Sequence, residues 1–292
     1  MRKERSCGKQ SHAAATTAHN FMSQTVTYGV PSTGNVQALL MSLATVLQQE
    51  RRPEKILIRM EGEYPAFGSF YFEQIAALAR ILGVEFTITT DKSQGIRYAR
   101  DWLIDNTTTD LLWMGDDDVL YAPHCLKELL VGYADAGKMS PGTVAYVNGN
   151  KPDVNNRRGY DNFEIEFRDS AKTKENEGYN FFFKGKGKTV RCNTCDTGNL
   201  LISVTRVRGD NIRFQAFAKS WNCSGDDSLF AIMCHANGLH GFFRTRADSY
   251  HLEKPNVRFN EFAARKTMLL RECELLKVDP KCLETVLPWL KM

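Results

Sequence analysis

The chain has 292 residues, of which 42% are hydrophobic and 25% are charged, and its formal net charge at pH 7 is +4. This length is enough for one large domain or one domain with a sizeable insertion, and the composition is ordinary for a globular protein. No apolar run approaches the roughly eighteen residues of a membrane span, and the basic N-terminus lacks the apolar core of a signal peptide. We therefore expect a cytoplasmic protein, whose small positive charge does not by itself indicate a polyanionic partner.

The chain also contains eight cysteines. An even number would suit disulfides in a secreted domain, but without an export signal reduced thiols are the simpler interpretation. Cys192 and Cys195 form a C-x-x-C pair, whereas Cys223 and Cys234 are too far apart in sequence to form the second pair of a zinc site. We expect free cysteines, with structural zinc as the less favoured alternative.

The first 120 residues are predicted to alternate strands and helices after a disordered arm at 1–23, which is rich in Ser, Thr, Ala and His. The strands are rich in β-branched residues, and the helices have apolar residues at helical spacing. Strands are expected at 24–30, 55–60, 84–90 and 109–118, and helices at 36–49, 72–83 and 95–105. Such alternation builds a parallel sheet covered by helices, with right-handed crossovers.

The remaining elements are less regular. Residues 151–191 are polar, charged and rich in Asn and Gly, which predicts a long loop or a small hairpin insertion. A strand at 199–207, a helix at 226–238 and a short strand near 240–247 are expected next. The amphipathic pattern at 260–277 predicts a C-terminal helix that packs on the core.

Three consecutive aspartates, Asp116, Asp117 and Asp118, directly follow an apolar run. They are predicted at the carboxyl end of a buried strand, where open α/β sheets bind ligands. In extended backbone Asp116 and Asp118 project to one side and repel each other unless a cation lies between them. Hard oxygen ligands suit Mg²⁺ or Mn²⁺ bound together with substrate phosphates. A solvated acidic turn is the alternative, and the preceding apolar strand makes it less favoured.

Two further acids, Asp226 and Asp227, open the helix predicted at 226–238. Helix capping needs only one acid at this position. The second acid is not needed for capping and could act as a general base. His251 follows an apolar strand, and it is either a packing or surface residue or an imidazole ligand for a metal.

The order of these features resembles the family-two glycosyltransferases, which have the GT-A fold. The matches run from about Gln24 to His251 and include the first strand, loop and helix. They also include the segments SQGIRYARDW, LLWMGDDDVL, CDTGNLLIS and GDDSLFAIMCHANG. The chain departs from the family pattern in three places: Met60-Glu61-Gly62-Glu63 stands in place of Asp-Asp-Gly-Ser, Asp101 replaces Asn, and Asp226 replaces Glu. The departure at Glu61 leaves the identity of the nucleotide open.

The resemblance implies an α/β fold with a Rossmann-like, mostly parallel sheet flanked by helices. It implies a GT-A domain over 24–258, with a nucleotide-binding half at 24–120, an acceptor-side insertion at 151–191 and an acceptor and catalytic half at 192–258. A helical segment would follow at 259–292. The implied activity is transfer of a sugar, with inversion, from a nucleoside-diphosphate sugar to an acceptor hydroxyl, and a UDP-sugar is the expected donor.

The resemblance also implies roles for individual residues. Asp118, Asp116 and His251 would hold Mn²⁺ or Mg²⁺, and Asp227 would be the general base, with Asp226 as the alternative. The donor would contact residues of the first half of the chain, namely Tyr28, Val30, Glu61, Gly95, Arg100, Asp116 and Asp117.

More than one acceptor and more than one class of protein are compatible with the sequence. The acceptor is expected to be a saccharide or a hydroxylated base in modified DNA, and a non-catalytic nucleic-acid-binding module is a further possibility. Residues 151–191 support the last two, since they contain ten Lys and Arg against seven Asp and Glu, interleaved with aromatic residues. A glycoside hydrolase would not need a metal, and a two-metal phosphoryl-transfer enzyme would need more converging acids.

Overall fold

The computed structural model describes residues 23–62, 70–92, 94–150, 187–214 and 226–252, together with Glu274, Lys277 and Val278. The predicted arm at 1–23, apart from its last residue, lies outside the described residues. So do most of the insertion at 151–191 and nearly all of the helix expected at 260–277. None of the helices in the described part of the chain has the length and apolar character needed to cross a bilayer.

The first half of the chain alternates strands and helices, as its periodicity predicts. In chain order the elements are β1 (Val26–Ser32), α1 (Val36–Leu47), β2 (Lys55–Glu61), α2 (Phe70–Ile81), β3 (Glu85–Asp91), α3 (Ile96–Asn106) and β4 (Leu111–Gly115). The second half continues with β5 (Val119–Tyr121), α4 (Cys125–Met139), β6 (Val144–Asn150), β7 (Thr189–Cys192), β8 (Asn199–Ser203), α5 (Val204–Gly209), α6 (Asp226–Ala236) and β9 (His240–His251).

The described strands form one sheet in the order β3-β2-β1-β4-β8-β6-β9-β5, with β7 paired to β9. The four strands from β3 to β4 are parallel, which confirms the parallel sheet predicted for the first half. In the second half only β6 and β9 pair in parallel, and the other pairings are antiparallel. Because the chain leaves β1 toward β3 and returns to β4 on the other side of β1, the carboxyl ends of β1 and β4 border a topological switch point.

β4 is the central strand and is buried on both faces. Leu112 and Met114 belong to one hydrophobic cluster, while Leu111 and Trp113 belong to a second cluster. A strand covered on both faces reads as a continuous apolar run, which explains why LLWM lacks the alternation of a half-exposed strand. The aspartates therefore follow directly after a strand that is covered on both faces.

Three predicted boundaries are wrong. The strand expected at 199–207 ends at Ser203 and α5 begins at Val204, because Val204 and Val207 are buried at helical spacing. The strand expected at 109–118 ends at Gly115, and the three aspartates lie in a turn before β5. The short strand expected near 240–247 is the twelve-residue β9, which continues to His251. The pattern also did not predict α4 and β6.

Gly115 ends β4 in a position with no room for a side chain. A Cβ atom there would lie 2.1 Å from the hydroxyl oxygen of Tyr121 and 2.5 Å from that of Tyr28. The Tyr28 hydroxyl itself lies 3.3 Å from that of Tyr121, and the Tyr28 ring packs edge-on against Trp113. The two tyrosines therefore restrict the last residue of β4, directly before the aspartate turn, to glycine.

We expect Gly115→Ala to lower the free energy of unfolding by about 1–3 kcal/mol, the usual range for an overpacked core position. Urea unfolding monitored by circular dichroism would measure the change. Gly209→Ala is the matched control, because a Cβ atom at Gly209 would meet nothing within 4 Å. The control should stay within about 0.5 kcal/mol of the unmodified chain. Equal unfolding midpoints for the two variants would contradict this interpretation of Gly115.

Candidate active site

The aspartate turn directs its three side chains to three different partners. Asp116 Oδ1 accepts a hydrogen bond from Arg100 Nη2 at 2.9 Å. Asp117 Oδ2 accepts one from Ser32 Oγ at 2.7 Å, and Asp118 Oδ1 lies 3.3 Å from His251 Nε2. The expectation that extended backbone projects Asp116 and Asp118 to one side is therefore wrong, because these residues lie in a turn. The repulsion between them is relieved by separate partners.

Asp118 and His251 are held together by strand pairing. β5 is antiparallel to β9, with Val119 opposite His251, and the backbone amide of Leu252 donates to the carbonyl of Asp118 at 2.7 Å. Asp118 is 3% exposed, whereas the imidazole is more open, with 27% of the side chain exposed. The pair therefore presents one carboxylate oxygen and one imidazole nitrogen beside each other, within reach of solvent.

The ligand atoms of Asp118 and His251 can be compared with those that Mn²⁺ or Mg²⁺ prefers. Oxygen and imidazole ligands are compatible with Mn²⁺, and such ions normally complete their shell with substrate phosphates and water. In the described part of the chain, no three His, Cys, Asp or Glu side chains form a ready metal cluster. Asp116, the third predicted ligand, instead bonds Arg100. Asp118 and His251 thus fit a metal that a substrate helps to hold, and the roles of all three residues stay predictions.

Arg100 joins the aspartate turn to α6. Its Nη1 donates a hydrogen bond to Oδ2 of Asp226, which is 126 positions away in the sequence. Its Nη2 donates to Oδ1 of Asp116. Burial alone would lower the pKa of Arg100, but the negative charges of Asp226, Asp116 and Asp227 more than reverse this and raise the pKa. The guanidinium is therefore a permanent positive charge between two acidic segments. The sequence indicated Arg100 only as a donor contact.

The two acids at the start of α6 have different surroundings. Asp226 is 5% exposed and is ion-paired with Arg100. Asp227 is half-buried, its Oδ1 accepts from the amide of Ser228 at 2.7 Å, and its backbone carbonyl accepts from Cys195 Sγ at 3.0 Å. The structure therefore brings both candidates for the general base close to the aspartate turn, and it places Asp226 in an ion pair with Arg100.

Glu61 and Gly95 meet at the start of α3. Glu61 Oε2 accepts hydrogen bonds from the backbone amides of Gln94 and Gly95, at 2.6 and 3.1 Å. Gly95 has a φ of 96°, a conformation that L side chains rarely adopt, so a glycine is needed where the chain turns into the helix. The Glu61 carboxylate thus anchors the helix that carries Arg100. Contact of either residue with a donor stays a prediction.

Tyr28 and Val30 lie in the core with no exposed surface. Burial raises the pKa of Tyr28 well above its usual range, so its hydroxyl stays neutral, within hydrogen-bonding distance of Ser42 and Tyr121. Any donor contact by these two side chains would have to be made from inside the core, and it stays a prediction. Ser32, two residues further along β1, reaches the aspartate turn instead.

Neither Ser32 as a site residue nor the bridging role of Arg100 is predicted by the sequence pattern. Ser32 is a polar residue at the carboxyl end of β1, next to the strand that precedes the aspartates, and that position is the signal that could have identified it. The bond between Arg100 and Asp226 had no such signal, since it joins segments that are distant in sequence.

Cys192 and Cys195 are free thiols in the structure and are buried. Burial raises the pKa of the Cys192 thiol to about 12, and it also raises that of Cys195. Free cysteines and structural zinc at this pair stay predictions.

The nucleic-acid interpretations rest mainly on residues that are not described. Of the basic and aromatic residues between 151 and 191, only those at 187–191 are described. A DNA acceptor and a nucleic-acid-binding module therefore stay predictions.

Comparison with known proteins identifies the fold. No family model matches the chain, and no curated protein matches it. Among solved structures, residues 1–349 of S. aureus TarS match with a TM-score of 0.57 and 13% identity, covering 90% of this chain and 70% of that one. The same TarS fragment in complex with UDP-GlcNAc gives 0.58 and 11%, covering 91% and 71%. GalNAc-T7 with UDP, GalNAc and Mn²⁺ gives 0.60 and 11%, covering 86% and 48%.

These neighbours are GT-A glycosyltransferases, and the chain has the GT-A fold. The predicted fold class is thereby confirmed. Membership of family two stays a prediction, because identities of 11–13% establish the fold alone.

We expect Ser32→Ala to lower the free energy of unfolding by about 1.5–3 kcal/mol, because it removes a hydrogen bond to the buried Asp117 carboxylate. Ser42→Ala is the matched control, since Ser42 is equally buried but bonds the neutral hydroxyl of Tyr28. The control should lose only about 1 kcal/mol. Urea unfolding of both variants measures the difference, and an equal loss would show that the charge of Asp117 adds nothing.

Proposed function

We propose that the chain is a metal-dependent glycosyltransferase that moves a sugar from a nucleoside-diphosphate sugar to an acceptor hydroxyl, with inversion at the anomeric carbon. The observation that supports this best is the meeting of the aspartate turn and the start of α6 through Arg100. In a GT-A fold this junction lies beside the switch point between β1 and β4, where a nucleotide donor is expected. UDP-sugars are the first donors to test, because the TarS and GalNAc-T7 structures contain UDP-GlcNAc and UDP.

Asp118 and His251 would hold the metal, with Asp116 contributing directly or through water. When bound, Mn²⁺ or Mg²⁺ would neutralise negative charge on the departing diphosphate. Asp118 is suited to this role because its buried carboxylate is held in position by the pairing of β5 with β9. Asp117, which bonds Ser32, would fix the turn so that its neighbours face the donor.

Asp227 is the better candidate for the general base. Asp226 is buried, and its Oδ2 is bound to the Arg100 guanidinium. Asp227 is more open than Asp226, and its Oδ1 accepts a hydrogen bond from the adjacent Ser228 amide. Asp227 would take the proton of the acceptor hydroxyl as that oxygen attacks the anomeric carbon. A single displacement of this kind inverts the configuration.

A panel of nucleoside-diphosphate sugars, incubated with Mn²⁺ or Mg²⁺ and assayed for free nucleoside diphosphate, tests the proposal without a known acceptor. We expect slow hydrolysis of at least one donor, with water in place of the acceptor. A nucleic-acid-binding module would release no nucleotide from any donor, and a glycoside hydrolase would be indifferent to EDTA.

Asp227→Asn should lower the turnover number for donor hydrolysis by about a hundred- to ten-thousandfold, because a general base acts on the chemical step. Its affinity for UDP with Mn²⁺ should be unchanged. Steady-state kinetics and calorimetry on the same preparation separate the two effects. If Asp226→Asn is inactive and Asp227→Asn is active, the roles of the two acids are reversed.

His251→Ala should weaken binding of UDP in the presence of Mn²⁺ by about tenfold or more, since loss of a metal ligand is at least as damaging as loss of its outer partners. In EDTA the variant and the unmodified chain should bind UDP equally. His124→Ala is the matched control, because His124 Nε2 also lies near a carboxylate, 3.6 Å from Asp248, with a similar exposure. Calorimetry on both variants tests the assignment, and an equal effect would remove His251 from the metal site.

A further inference from the structure

Arg100 is unusual among the site residues because both ends of its guanidinium are bound by protein. Nη2 bonds Asp116 of the aspartate turn, and Nη1 bonds Asp226 at the first residue of α6. Only 8% of its side chain is exposed. A donor contact, the role implied by sequence resemblance, would therefore compete with two carboxylates that already hold the same nitrogens.

Aromatic rings extend the connection between Arg100 and α6. The guanidinium carbon lies 5.9 Å from the centre of the Phe214 ring. Phe214 is stacked on Phe230 with ring centres 4.3 Å apart and planes within 9°, and Phe230 lies in α6. The amide of Phe214 donates to Asp101, the residue next to Arg100, at 2.7 Å. α3 thus contacts the first turns of α6 through an ion pair and through a ring stack.

The two carboxylates that bond Arg100 belong to different segments of the chain, and neither can take the place of the other. With one partner removed, one end of the buried guanidinium would lose its hydrogen-bond acceptor, which is unfavourable. Arg100 therefore holds both acidic segments at once, and the separation between Asp116 and Asp226 is set by its planar fork. Asp227 follows Asp226 directly on the same helical turn, so its place relative to the aspartate turn is set as well.

We infer that Arg100 is a positioning residue, which holds the first turn of α6, and with it Asp227, at a fixed place beside the aspartate turn. This inference rests on the proposed function. It differs from a donor contact in its consequence: loss of the fork would misplace the base, whereas the aspartate turn would still be held by the Ser32–Asp117 bond and by the pairing of β5 with β9. A misplacement of about 1 Å can lower turnover about a hundredfold.

Arg100→Lys tests the inference, because an ammonium keeps the charge but lacks the rigid fork that reaches two separate carboxylates. We expect the turnover number for donor hydrolysis to fall by about ten- to a hundredfold, while the dissociation constant of UDP with Mn²⁺ changes by less than about threefold. A donor contact would give the reverse pattern, with weaker UDP binding as the main effect, and that outcome would overturn the inference.

Arg244→Lys is the matched control. Arg244 has the same side-chain exposure of 8%, and it bonds Glu128 at 2.7 Å and Asp135 at 3.4 Å. Neither partner is a predicted site residue, so its replacement should affect stability and not turnover. An equal fall in turnover for Arg244→Lys would show that loss of a buried arginine fork acts through general destabilisation, which would also overturn the inference.

A double-mutant cycle with Arg100→Met and Asp226→Asn provides a second measurement in case single variants fold poorly. In the double variant only Asp116, whose side chain is 24% exposed, loses its ion pair with Arg100 while keeping its charge, so this variant should fold better than Arg100→Met alone. Its turnover should be no lower than that of Arg100→Met, since Arg100 acts on the base through Asp226. Additive losses in turnover would contradict the inference. A chain that hydrolyses no donor at all would instead contradict the proposed function, so the two failures are distinct.

Discussion

The site depends on how one buried positive charge is neutralised. Arg100 lies almost out of reach of water, and a guanidinium there is tolerable only with carboxylates against it. The sheet supplies one of them from the turn after β4, and α6 supplies the other. Because Asp226 is buried against the guanidinium, moving the first turn of α6 away from the aspartate turn would separate a buried ion pair, which is strongly unfavourable. Electrostatics thereby determines the geometry in which two distant parts of the chain meet.

The sheet makes this meeting possible by fixing where β4 ends. The tyrosine hydroxyls that crowd Gly115 leave no space for a side chain at the last residue of β4, after which the chain turns. Ser32 then reaches Asp117 from the neighbouring strand, and the pairing of β5 with β9 places Asp118 beside His251. Each of the three aspartates is thus oriented by a different element, which a flexible acidic loop would not achieve.

Much of this fold follows from sequence pattern, and the remainder does not for physical reasons. Apolar periodicity predicts the strands and helices of the first half because each buries one face or both faces in a regular way. It fails at Val204 and Val207, whose β-branched side chains favour a strand although their spacing serves a helix. The position of the aspartates followed from the apolar run before them. The partnership of Arg100 with Asp226 could not be predicted, since it exists only after α6 has packed against α3.

The order of strands in the sheet also has a consequence for the folding of the chain. β9, the last described strand, pairs with β6, β7 and β5, and it carries the histidine that faces Asp118. The four parallel strands β1 to β4 can associate with one another before β9 has been synthesised, because all four precede β9 in the chain. The Asp118–His251 pair can close only after residue 251 has left the ribosome. Such long-range pairings form slowly, so we expect the first half of the chain to become ordered before the acidic site is complete.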